Sequence, residues 1–343
     1  RAAVPLGQLP PDMVWLNANE NPAGPPRSAL QAAIDALPTT GRYRFQEFRA
    51  FYAAVARSEG LDAAQVVAGS GSTEVLNWAV LAFTSPSLPI IAMHPTFEAP
   101  IEMALALRRP VVRVPLTASY AADVRAMAAA ARKAGGGLIY LCNPNNPTGS
   151  VTPAADVAWL TENLPAGAVL LLDEAYLHFG ETPQLASGIP LVRQGKSIVV
   201  TRTFSKIYGM AGMRVGFACS TPELTARMAE FRNSVISIVS ARAAMAALDD
   251  ETVIPERRAA LLKTRRELCA WLRERGLPFI ESHANFVMID VGRPAVEFNA
   301  KMPPLGVAPG RPFPPLDNML RVSIGTDADM ARFRDVFWKV YKG

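Results

Sequence analysis

"LIYLCNPNNPTGSVTPAADVAWLTENLPAGAVLLLDEAY", residues 138–176, holds two continuously apolar runs, LIYLC (138–142) and VLLLD (169–173), on either side of a segment with helical spacing. A short run with no polar face is what a strand covered on both sides requires. The segment between them reads as a helix over 153–163, with Thr152 as N-cap and Pro153 in the first turn, where a missing N–H costs nothing. Strand, helix, strand in that order sets the two strands parallel, because such a crossover returns the chain to the same end of the sheet.

The alternation extends outward from this unit. QVVAG (65–69), PIIAM (89–93) and SIVVT (197–201) are further apolar runs, and helical patterns fill 72–83 and the Ala-rich 121–134, which stops at Gly135 to Gly137. The expected fold class is therefore α/β, a mostly parallel sheet flanked by helices, with a smaller α+β domain at the C-terminal end. In that domain NFVMIDV and NMLRVSI read as strands between helices. The expected organisation is an N-terminal arm over residues 1–30, a large domain over 31–235 and a small domain over 236–343, with a long helical pattern from Pro222 leading between the last two.

Composition narrows the function classes. Half of the 343 residues are apolar, enough for a sizeable core. No apolar run approaches the ~20 residues of a membrane span, and the start carries no charged-then-apolar export segment, so a soluble cytoplasmic protein is expected. Its first residue is Arg1, which fits a trimmed or processed start. Cys142, Cys219 and Cys269 are widely separated, which argues against a disulfide framework and a zinc site, and no metal is expected. The net charge of +5 is spread out; the densest group, KTRRELCAWLRER from Lys263, sets Leu268, Trp271 and Leu272 at helical spacing, so its arginines read as a solvated face and not a nucleic-acid site.

In open parallel sheets ligands sit at the carboxyl ends of the strands. After VVAG, SGSTEVL opens a helix with Ser72 and Thr73 beside free N–H groups, a place for a phosphate or a plain cap. HPTFEAP puts the ring of Phe97 at a strand end, as core or as cover for a planar ligand. NPNNPTG (143–149) is dense in turn formers, and Asn146 is either part of the turn or an amide donor. VLLLDEAY carries Asp173 straight off an apolar strand, which is costly unless a cation faces it, and Tyr176 could share the pocket. In VVTRTFSKIYGMAGMRVGF (199–217), Thr203, Ser205 and Lys206 end a strand and Arg214 follows among glycines. A lone loop lysine is ordinarily a surface charge, but near a cationic cluster in a partly dry cleft its pKa falls and it becomes a nucleophile towards carbonyls. Taken together these groups are what pyridoxal 5'-phosphate needs: an amine, an acid, phosphate and hydroxyl donors, and a stacking ring.

The set LNANENP (16–22), NPNNPTG, DEAY, TFSK with an arginine eight residues on, ANFVMI (284–289) and LRVSIGT (320–326) closely resembles the fold-type I pyridoxal-phosphate aminotransferases, and within them the histidinol-phosphate aminotransferase branch. The motifs run in family order over nearly the whole chain. The resemblance implies that Lys206 binds the cofactor's aldehyde and then moves the proton between the substrate Cα and the cofactor C4', while Asp173 keeps the ring nitrogen protonated. It implies that Asn146 and Tyr176 hydrogen-bond the ring hydroxyl, that Phe97 stacks on the ring, and that Ser72, Thr73, Thr203, Ser205 and Arg214 hold the phosphate. Tyr43 in GRYRF would reach that phosphate from a neighbouring subunit, completing the site in a homodimer. Arg321 would bind the substrate's anionic group, with Asn19 and Arg311 as further substrate contacts.

The implied function is transfer of an amino group between an amino acid, or histidinol phosphate, and a 2-oxo acid. The chain departs from the branch in having YRFQEF where Pro-Asp usually follows the tyrosine, Thr73 in place of an Asp, Phe97 in place of a tyrosine, and a proline-rich GVAPGRPFPPLDNM. Two rivals remain at this stage. One is a decarboxylase or lyase on the same cofactor and fold. The other is a non-enzymatic regulator on an aminotransferase-like body, which would need an added DNA-binding region. His94, His178 and His283 are expected to have no catalytic role.

Overall fold

A computed structural model describes residues 12–233 and 235–343; the first part of the expected arm, residues 1–11, lies outside the described residues. The arm enters through β1 (Val14–Leu16), followed by helices α1 (Arg27–Ala36) and α2 (Phe45–Glu59). Strands and helices then alternate: β2 (Val66–Gly69), α3 (Ser72–Phe83), β3 (Ile90–His94), α4 (Ala99–Ala106), β4 (Val111–Pro115), α5 (Val124–Ala134), β5 (Gly137–Cys142), α6 (Ala154–Glu162), β6 (Ala168–Asp173), α7 (Ile189–Arg193) and β7 (Ile198–Thr203). After β8 (Gly216–Cys219) come α8 (Pro222–Ala229), α9 (Ile238–Asp249) and α10 (Val253–Glu274). The chain closes with β9 (Phe279–Ile280), β10 (Phe286–Asp290), α11 (Val296–Lys301), β11 (Val307–Pro309), β12 (Met319–Ser323) and α12 (Asp327–Lys342).

The central sheet has seven strands in the order β2-β8-β7-β6-β5-β3-β4, and only β8 runs against its neighbours. Every residue of β5 and β6 is buried. Successive side chains point to opposite faces, so Ile139, Leu141, Leu170 and Leu172 join one core layer while Leu138, Tyr140, Val169 and Leu171 join the other. Each such leucine or isoleucine contributes about 1.5–3 kcal/mol by leaving water, which is why the runs are apolar throughout.

A second sheet, β12-β10-β9, is antiparallel, and β1 pairs in parallel with β11, tying the arm to the C-terminal region. Helix α9 packs chiefly on α1 and α2. No described helix is long and apolar enough to cross a membrane.

Several local expectations differ from the structure. Strands β4 and β8 were not expected: β4 is an edge strand with a half-exposed face carrying Arg113, and β8 reads GFAC, small residues that do not form an apolar run. The pattern from Pro222 is broken into three helices, not one. Thr152 does not cap α6; its hydroxyl accepts the Ala122 N–H at 3.0 Å instead. On α10, Arg265 is not solvated. It is buried and donates to the Phe179 and Ala284 carbonyls and to Glu181, whereas Arg266 is exposed as expected.

Strand β8 sets the start of α3, because a Cβ on Gly216 would stand 2.1 Å from the Ser72 nitrogen. Backbone cannot yield as a side chain does, so Gly216→Ala is expected to cost at least about 1–3 kcal/mol, the range for overpacking. Urea unfolding of the two proteins measures it.

Candidate active site

The carboxyl ends of β5, β6 and β7 lie level, with Cys142 beside Asp173 and Asp173 beside Thr201. Asp173 therefore leaves a dry strand with its carboxylate still buried. Its Oδ1 accepts from the Thr201 hydroxyl at 3.1 Å and from the Ala175 N–H at 3.2 Å, both neutral donors. No described cation comes within ion-pair distance of it. Burial accordingly raises its pKa to about 6, against the lowering by those two donors.

Lys206 follows β7 on the turn Thr203–Lys206. Within that turn the Thr203 hydroxyl accepts the Ser205 N–H at 3.1 Å and donates to Ser205 Oγ at 3.0 Å. The half-buried Lys206 amine donates to the Ala18 and Asn19 carbonyls, each at 3.0 Å. Burial first, and then the charge of Arg321, bring its pKa down to about 8, with Glu20 and Asp173 opposing.

Asn19 joins these parts. It is buried with a left-handed φ of 55°, a conformation asparagine tolerates. Its N–H donates to Ser323 Oγ at 2.9 Å, its Oδ1 accepts from the same hydroxyl at 3.0 Å, and its Nδ2 donates to Tyr176 Oη at 3.1 Å. Its carbonyl also takes Asn285 Nδ2 at 2.9 Å. Tyr176 stands edge-on to Phe286, with ring centres 5.1 Å apart, and burial pushes its phenol well above the usual range.

Arg321 on β12 is buried, lowered to about 10 by that burial. It donates to Asn146 Oδ1 and to the Asn17 carbonyl, both at 2.7 Å. A guanidinium only donates, so Asn146 must turn its amide oxygen to Arg321 and present its –NH2 elsewhere. That –NH2 has no partner among the described residues. The Arg321 Nε is likewise buried and unpaired.

At the opposite end Gly71 caps α3, whose first residues are Ser72 and Thr73. Arg214 has its own left-handed φ of 55° and donates to the Ser70 carbonyl at 3.2 Å and to Ser205 Oγ at 3.5 Å. A Cβ on Gly71 would meet Arg214 Nη2 at 2.1 Å, so glycine there admits the guanidinium to the helix start.

One cavity of about 310 Å³ is lined by Asn19, Ser72, Thr73, Phe97, Asn146, Asp173, Tyr176, Thr203, Ser205, Lys206, Arg214, Arg311 and Arg321. Of the residues named from the sequence, Tyr43 alone is elsewhere, exposed and stacked on Phe45 with ring centres 5.6 Å apart. Asn285 and Ser323 lay inside quoted motifs, but nothing in the sequence marks them as partners of Asn19, 266 and 304 positions away. Glu20, which also lines the cavity, was not singled out. Asn143 and Asn145 hold the turn itself, through Thr152 and through Thr96, Thr148 and the Pro95 carbonyl. None of the three histidines lines this cavity, and burial holds His178 neutral at about 3.

The cavity fits pyridoxal 5'-phosphate on three observations. Asp173 lacks a cation, the Asn146 –NH2 lacks an acceptor, and α3 opens with free N–H groups beside two hydroxyls and a guanidinium. A protonated ring nitrogen, a ring hydroxyl and a phosphate supply these in turn.

A model of the class I and II aminotransferases matches residues 11–337. Histidinol-phosphate aminotransferase of Symbiobacterium thermophilum is 37% identical over 325 residues, covering 94% of this chain and 89% of that protein. Aromatic amino acid aminotransferase of Cutibacterium acnes is 33% identical over 332 residues, covering 96% and 93%. The crystal structure of histidinol-phosphate aminotransferase from Sinorhizobium meliloti in complex with pyridoxal-5'-phosphate superposes with a TM-score of 0.89 at 28% identity, covering 96% and 91%.

The raised pKa of Asp173 fixes a pH dependence for the cofactor-free protein. Because the folded state holds this proton more tightly than the unfolded chain, the contribution of Asp173 to stability is full below about 3.8 and is lost as pH rises through about 6. The loss is roughly 3 kcal/mol at most. Asp173→Asn should remove it, leaving the cofactor-free variant more stable than the parent at pH 7.5 but not at pH 3.5, as read by urea unfolding.

Proposed function

The chain belongs to the class I and II aminotransferases, and from that membership we propose a role for each residue around its cavity. The protein is a pyridoxal-phosphate-dependent aminotransferase of the histidinol-phosphate or aromatic type, acting on amino and keto acids. The observation that carries the assignment of roles is that one cavity is lined both by a buried carboxylate without an ion-pair partner, Asp173, and by the Lys206 amine, whose pKa burial has brought down to about 8.

Bound pyridoxal 5'-phosphate supplies an electron sink for charge that develops at the substrate Cα. Asp173 holds a proton on the ring nitrogen. Lys206 Nζ would take the proton from the substrate Cα and pass it to the cofactor C4', and a pKa near 8 leaves enough neutral amine to act as a base near neutral pH. Asn146 donates its free –NH2 to the ring hydroxyl, and Tyr176, oriented by Asn19, meets the same oxygen. Phe97 covers the ring. The N–H groups of α3 with Ser72, Thr73, Ser205 and Arg214 hold the phosphate, while Thr203 shapes the turn that carries Ser205. Arg321 binds the substrate's anionic group, with Asn19 and Arg311 beside it.

We further propose the three-part division at residues 30 and 235, a cytoplasmic setting, and a homodimer in which Tyr43 reaches the partner's phosphate site. Three free buried cysteines support the reducing setting. Exposed Leu30, Ile34, Leu37, Tyr43 and Phe45 on and around α1 and α2 support an interface there.

Lys206→Ala is expected to lower the rate of amino transfer by at least about a thousandfold, within the range for a lost proton shuttle, and to leave the protein folded. The assay pairs an aromatic amino acid or histidinol phosphate with a 2-oxo acid, and sedimentation of the same preparations at twice the 36.9 kDa chain mass checks the dimer.

A further inference from the structure

The substrate end of the cavity carries two guanidiniums, and their surroundings differ. Arg321 is buried. Arg311 is half-exposed, sits on the loop between β11 and β12, and is ion-paired to Glu98, which follows Phe97 and immediately precedes α4. Both arginines lie over the same buried ring: Arg311 is 4.2 Å and Arg321 4.5 Å from the Phe313 centroid. Two like charges on one ring repel, and Glu98 offsets that repulsion. Its field reaches past Arg311 to Arg321, favouring the charged form that Arg311 disfavours. Glu98 does not itself line the cavity; it acts on the anion site through Arg311, which does.

Resting on the aminotransferase reading above, we propose that Glu98 is a specificity-determining residue. By holding Arg311 it leaves Arg321 to meet the substrate's anion, and so selects an aromatic amino acid, which presents a singly charged carboxylate, over a phosphate-bearing amine. The bridge is half-exposed and contributes little by its own strength. Its effect is on the charge of the site. Coulomb repulsion scales with the product of the charges, so Glu98 opposes a phosphate dianion about twice as strongly as a carboxylate at the same place. It also occupies the second guanidinium, which a dianion needs and a carboxylate does not. The other charged residues that line the cavity are Arg214, tied to the start of α3 through the Ser70 carbonyl, and Lys206, Asp173 and Glu20; none of them is ion-paired to Glu98 or Arg311.

The test uses the cofactor-loaded protein and two ligands that share a ring and differ in the anion, 3-phenylpropanoate and 2-phenylethyl phosphate, with binding measured by calorimetry. The parent protein is expected to bind the carboxylate more tightly. Glu98→Gln should tighten the phosphate about tenfold and change the carboxylate less than about twofold, while Glu98→Asp keeps the parent preference. The ratio of kcat/KM for L-histidinol phosphate over L-phenylalanine should rise in the same variant. A parent that prefers the phosphate, or a Glu98→Gln protein in which both ligands shift by the same factor, overturns the proposal while a visible cofactor band leaves the aminotransferase reading standing. A preparation with no such band and no binding of either ligand overturns both.

Discussion

A carboxylate and an amine are held where burial drives each towards its neutral form, and the rest of the structure is arranged around that constraint. Asp173 is raised to about 6 by burial at the end of an otherwise apolar strand, and Lys206 is lowered to about 8 by burial on the turn after β7 and then by the charge of Arg321. Each has neutral hydrogen-bond partners but no ion-pair partner among the described residues. A ligand bringing a protonated ring nitrogen to one and a carbonyl to the other gains from both, which makes the cost of burying them part of the binding selectivity.

The scaffold fixes the two groups through different means. Asp173 is placed by sheet register, with β5 and β7 on either side of β6. Lys206 depends on the arm: its amine is held by the Ala18 and Asn19 carbonyls, and Asn19 is in turn held by Ser323 and Asn285 from the C-terminal sheet. The N-terminal segment, the central sheet and the second sheet thus meet at one asparagine that also touches Tyr176. Arg321 lies on the same strand, β12, as Ser323, so the second sheet positions both the substrate arginine and the asparagine that holds the lysine.

Much of the fold was legible because its central strands are buried on both faces and so must be apolar throughout. The strands that escaped have a reason to. An edge strand such as β4 keeps a wet face, and β8 needs Gly216 to let α3 approach more than it needs bulk. In the site, Asp173 stood out by residue type at the end of an apolar strand, whereas Lys206, on its own an ordinary loop lysine, and the other candidates stood out by position at strand ends and by their conjunction. Arg321 could equally have been a surface arginine on sequence grounds, and its burial settles that it is not. What sequence reasoning could not reach was convergence over long separations. Asn19 with Ser323, and Glu98 with Arg311, become neighbours only when the sheets are assembled. Local chemistry at either position gives no sign of the other.

The central claim is that the lysine at the end of β7, and no other, carries the cofactor. Borohydride reduction of the cofactor-loaded protein followed by peptide mass spectrometry tests it directly, since reduction makes the link between amine and aldehyde permanent. The expected result is a single pyridoxyl group on the peptide containing Lys206. A label on any other lysine, or a coloured protein that yields no labelled peptide, would contradict the account.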